Sequence, residues 1–174
     1  MSGLKIFSQD EIDEIINFTL TEKTPFAYGW QYLIYANKYI AGGHFDKAVI
    51  VMAVLLAYTI RVSLHKLLHE EEDYKRGVHE NLVRQVFMGK NPSFNDRLYT
   101  YGSGLLSVDL DENLIKTVKS IYSAKNALSK GNKLEDTELY KSFDSDEIEK
   151  IDFFKDLLRD CQKIFEAFVD EFGA

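Results

Sequence analysis

His65 and His69 stand four residues apart, the spacing that presents two imidazoles to one metal ion from one face of a helix, with Glu70 and Asp73 close by. Two ligands do not make a site. No third histidine has ligand spacing, and the two acids belong to an acidic run at 70–73 that suits a solvated face, so neither a metal nor another cofactor is expected. Arg61 and His65 are also four apart, and packing on a helix surface is the expected role for that pair. The single cysteine, Cys161, falls on an apolar stripe with no histidine near it in sequence, which fits a small buried hydrophobe better than a nucleophile. Gly102, Ser103 and Gly104 lack the lysine and the preceding strand that a phosphate-cradling loop needs. That leaves Lys125, in the stretch YSAKNALSKG at 122–131. It sits within the apolar stripe of Leu114, Val118, Ile121 and Leu128, where a charge is costly unless it is paired or can snorkel. Two roles stay open. Either Lys125 faces a partner subunit or ligand, or it reaches solvent from the last turn of its helix, where the macrodipole favours a cation.

The elements that must position these residues are helices. Ser8 and Glu11 have the spacing of a capping box, and Ile12, Ile15, Ile16 and Leu20 follow at helical period, which predicts a first helix over about 9–21. Thr24-Pro25 resets the chain into a second helix over about 25–41, ended by Gly42-Gly43. A third runs from near 45 to about 71, apolar nearly all round in its first half, and so is the central helix of the bundle. Val78, Leu82, Val83 and Phe87 suggest a shorter helix ending at Gly89, Asn91-Pro92 a loop, 94–101 a short helical piece and 105–108 the one place for a few strand residues. A helix over 111–129 stops at Gly131, a polar stretch over 132–144 reads as a solvated loop, and Asp144 with Glu147 can cap a long last helix. That last helix carries the stripe Ile148, Ile151, Phe154, Leu158, Cys161, Phe165, Phe168 and Phe172. The expected fold is all-α, an antiparallel bundle of about five main helices in one domain over 1–174, with no repeat or linker to divide it.

The second helix carries two stripes. Phe26, Trp30, Leu33, Ile34 and Ile40 fall on one side, and Tyr28, Tyr32, Tyr35 and Tyr39 on the other. Tyrosines suit a surface that is apolar in body and wet at one end. The stripe therefore reads either as a dimer or partner interface, or as an edge packed on a neighbouring helix of the same bundle.

Composition narrows the function classes. Apolar residues make up 45% of the 174 and charged ones 28%, as in a globular protein. The apolar run at 48–58 falls well short of the ~18 residues of a membrane span. A lone cysteine and a start without a basic, apolar leader suggest a cytoplasmic protein. A net charge of -7 argues against broad binding to a phosphate backbone, though a local basic patch can still bind RNA.

The segments YSAKNALSKG and AGGHFDKAVIVMAVLLAYTIRVSLHKLL, at 122–131 and 41–68, with the helix order over about 28–172, resemble the HEPN family of helical-bundle domains. In that family a glycine turn leads into a long apolar helix, and a later helix ends in arginine, usually asparagine, a short spacer and histidine, often followed by glycine. Active members cleave RNA without metal, using the arginine and histidine of two subunits. The resemblance places Lys125 and Lys130 at those two positions, while Asn126 and Gly131 keep the motif's letters. An exposed lysine stays protonated and is no ready base at neutral pH, and it lacks the planar fork of arginine. The resemblance thus implies a vestigial motif at Lys125, Asn126 and Lys130 and a catalytically silent interaction or dimerisation module, of the kind found in toxin-antitoxin or antiphage systems. Its expected partner is a second copy or another protein, with no membrane. The alternative is a ribonuclease or RNA-binding protein whose site is rebuilt from Lys125, Asn126, Lys130 and His65. A third reading is a bundle that takes a small apolar ligand between its aromatic helices.

Overall fold

The computed structural model describes residues 7–19, 27–67, 108, 110–140 and 147–172, and for 15–19, 27–28, 64–67 and 147–148 the helical backbone alone. Five α-helices are packed together: α1 Gln9–Thr19, α2 Ala27–Ala41, α3 Phe45–Leu67, α4 Glu112–Ser129 and α5 Glu147–Phe172. No strand occurs among the described residues, and no helix among them is long and apolar enough to cross a membrane. The expected all-α bundle is therefore the observed fold. The short helix ending at Gly89, the loop at Asn91-Pro92, the piece over 94–101 and the Thr24-Pro25 boundary lie outside the described residues. Val108, at the end of the possible strand, is buried and belongs to no strand.

Local chemistry sets the helix ends. At the start of α1 the Ser8 amide donates to Glu11 Oε1 (3.2 Å) and the Glu11 amide to Ser8 Oγ (3.1 Å), so each side chain satisfies an amide that the first turn leaves open. Phe7 and Ile12, before and after that box, are both buried, as in a hydrophobic staple. Asp111 caps α4 by accepting from the Leu114 amide at 2.9 Å. The ends of α2 and α4 share one device: Gly43 (φ 76°) and Gly131 (φ 86°) take the left-handed conformation that favours glycine. Beyond them His44 donates back to Tyr39 O (2.8 Å) and Asn132 to Ala127 O (3.0 Å), closing the last turn in a Schellman motif.

The core is built on α3. Every residue from 48 to 60 is buried, so this helix needs cover on all sides, and α2, α4 and α5 all pack on it. Its two buried hydroxyls bond within the helix, Thr59 Oγ1 to Leu55 O (2.7 Å) and Ser63 Oγ to Thr59 O (2.8 Å), so neither leaves an unmet donor in the apolar interior. From α5, Phe154, Cys161, Ile164, Phe165 and Phe168 are buried in the same core, and Phe45, the first residue of α3, stacks on Phe154 at 4.6 Å.

As far as residue 140, the polar stretch after α4 is not the solvated loop expected. It folds back through a 3-10 turn, Leu134–Asp136, and buries Leu134, Thr137 and Leu139. Thr137 Oγ1 donates to Leu134 O at 2.7 Å, satisfying a buried hydroxyl. Two leucines among many charges are too few to show as a period in sequence, yet each is enough to anchor a turn.

Candidate interaction surface

Unlike α3, α2 buries one line of its described side chains and leaves a flank open. Its buried residues are Gly29, Tyr32, Leu33, Ala36 and Ile40, a line that runs between the two sequence stripes and draws from both. Tyr32 is 0% exposed, and its ring meets that of Tyr58 on α3 at 5.8 Å, so the structure places it in the core. Tyr35 and Tyr39 are half-buried on one flank and stack at 6.5 Å. Tyr39 also packs edge-on against Phe7 at 5.7 Å, and the Lys47 ammonium lies over both rings while it pairs with Glu11 Oε2 at 2.8 Å. Burial, with the Glu11 carboxylate nearby, pushes the Tyr39 hydroxyl up to about 12. The Tyr28 side chain lies outside the described residues.

The other flank of α2 is the exposed one. Trp30 is 43% and Ile34 59% exposed, the large apolar side chains that this part of the bundle leaves in solvent. They line an open groove of about 380 Å³. From α2 come Trp30, Leu33, Ile34 and Asn37, and from α5 come Lys155, Leu158, Arg159 and Gln162. Each helix thus contributes positions i, i+3, i+4 and i+7, the spacing of one continuous helix face. The floor is apolar and one wall is basic. Arg159 pairs with Asp156 one turn back on α5 at 2.6 Å, both ends of the pair being 68% exposed, a geometry that contributes little to stability.

Gly29 sets how closely these walls approach. A Cβ on Gly29 would lie 2.2 Å from Phe165 Cε1 and 2.3 Å from its Cζ, and Phe165 is fully buried, so the ring has no free space to enter. Trp30 leans edge-on against that same ring at 5.2 Å. Helix propensity alone makes Gly29→Ala stabilising by about 1 kcal/mol, whereas overpacking costs about 1–3 kcal/mol. The approach distance decides for overpacking, so urea denaturation is expected to show a less stable protein, with the emission of Trp30 altered in the native state.

The three residues that the family resemblance singles out differ in burial. Lys125 is 1% exposed on the buried side of α4, Asn126 is partly buried, and Lys130 is the exposed C-cap residue. The Lys125 ammonium lies 5.8 Å from the centroid of the Tyr122 ring, and among the described residues no carboxylate pairs with it. Desolvation pushes its pKa down to about 8. So the side chain does not reach solvent from the last turn, as one of the two readings required. Cys161 is wholly buried and its thiol is pushed well up by that burial and by Asp160, which leaves it a core residue. Among the described residues no cluster of three metal-ligating side chains occurs; His69, Glu70 and Asp73 lie outside them, and of His65 only the backbone is described.

The groove is not legible as such in the sequence: Trp30, Leu33 and Ile34 fall on one apolar stripe of α2, which does not tell that this flank stays in solvent, and Lys155 and Arg159 carry no signal of their own. The signal that could have found it is the pair of matching i, i+3, i+4, i+7 sets on α2 and α5. No protein family, curated protein or solved structure matches the chain.

Proposed function

We propose that this bundle is an HEPN-like interaction module without nuclease activity, which works by pairing with itself or with another protein through the groove between α2 and α5. The observation that carries the reading is the exposure of Trp30 and Ile34 side by side over Leu33 and Leu158. An aromatic anchor on an apolar floor with a polar rim is the anatomy of a binding hot spot. The difference in burial between Lys125 and Lys130 supports the absence of catalysis, because one of the two side chains is sealed inside the domain. The setting such a module suits is a toxin-antitoxin or antiphage pair.

Ile34→Asp tests this directly. The side chain is mostly in solvent, so the fold is expected to lose no more than about 0.5 kcal/mol, while self-association or partner co-purification is lost. Light scattering of the tagged protein expressed in its own host, wild type beside Ile34→Asp, reads the result. A wild-type protein that emerges as a lone monomer, with the variant indistinguishable from it, ends this reading.

A further inference from the structure

We infer that the occupant of the α2–α5 groove is an acidic amphipathic helix of another protein, an inference that rests on the groove's being the working surface. Three features carry it. The groove is framed by two helices that each present one face through i, i+3, i+4 and i+7, which is the shape that seats a third helix by its apolar stripe. Its floor of Trp30, Leu33, Ile34 and Leu158 offers contact to aliphatic side chains along about two turns. Its charged lining, Lys155 and Arg159, is of one sign, although the whole chain carries -7; Asp156, which pairs with Arg159, lies outside the lining, and that exposed pair is weak enough to open for an incoming carboxylate. Acidic residues flanking the stripe of the incoming helix meet those cations and fix its direction.

The same charges argue against a second copy. A twofold pairing of this groove with itself gathers the Lys155 and Arg159 of both copies into one interface whose lining supplies no acid to meet them.

Trp30 is the sole tryptophan, so its fluorescence reports on the groove without a label. The probes are two synthetic helical peptides free of aromatic residues, with leucine at i, i+3, i+4 and i+7; one carries glutamate on the flanks of that stripe and the other lysine. Added to the full chain at low salt, the acidic peptide is expected to shift Trp30 emission to the blue with a dissociation constant of about 10 μM or tighter, and the basic peptide to bind at least about tenfold more weakly. Charge reversal at Lys155→Glu with Arg159→Glu inverts that preference. Ile34→Asp removes the response to both peptides while circular dichroism shows the fold intact.

Equal binding of the two peptides, or binding of neither, overturns the inference. So does self-association that Ile34→Asp abolishes, which makes a second copy the occupant and leaves the interaction module standing. Loss of the module itself shows differently: Ile34→Asp then changes neither assembly nor any Trp30 response.

Discussion

Tyr32→Asp is expected to unfold the domain or to cost at least about 4 kcal/mol, because a buried aromatic alone is worth 3–5 kcal/mol on truncation and a carboxylate in its place adds a desolvated charge. Tyr32 is fully buried and packed on Tyr58 of the central helix, so no surface is available to hydrate the new group. Thermal unfolding followed by circular dichroism checks it: the cooperative transition is lost or moves down by at least about 8 °C, at about 2–4 °C per kcal/mol for a chain of this length. Ile34→Asp, one turn-fraction away on the same helix, is expected to leave that transition in place. A Tyr32→Asp protein as stable as wild type would place this side chain on a surface after all, as the tyrosine stripe read in sequence allowed.

The second large effect runs the other way. Lys125→Met is expected to stabilise the protein at pH 7 by up to about 3 kcal/mol, the free energy that corresponds to an ammonium that loses its proton at about 8 in the fold against 10.5 outside it. The sign follows from proton binding. Below about pH 8 both folded and unfolded chains carry the proton, and the folded one bears the full cost of burying it. Between about 8 and 10.5 the folded chain releases the proton while the unfolded chain keeps it, so the wild type gains stability with rising pH. Above that window the cost is gone. Denaturant titrations of both proteins at pH 7 and pH 10 therefore converge, the gap falling to under about 1 kcal/mol at the higher pH. A gap that does not change with pH would show that the lysine titrates as it does in water. The burial also bears on the motif: an ammonium that already costs stability in the folded chain is poorly placed to grip a phosphate from outside it.

What the sequence made legible is whatever a few adjacent residues decide. The capping box at Ser8 and Glu11, the glycine stops at 43 and 131 and the apolar run of α3 each follow from letters within one or two turns, and each is present. The groove was not legible because it depends on which flank of α2 its neighbours cover. The close approach of Gly29 to Phe165 is part of that arrangement, and the two residues say nothing about each other until the helices are set side by side. Lys125 shows the same limit. Its place on an apolar stripe was visible, but whether a lysine stem stays inside or escapes at a helix end depends on what lies over it. Leu134 and Leu139 fell below the threshold of any periodic signal and still closed their loop against the core.

The turn at Gly42 and Gly43 lays α2 against α3 after only a few residues of chain, whereas α5 reaches α2 from the far end of the sequence. Contacts of the first kind close a short loop and those of the second a long one. The groove is of the second kind, one wall from α2 and one from α5, so a chain in which α5 has not docked does not possess it. A partner that reads both walls at once selects finished molecules, and by mass action its binding draws the population toward them.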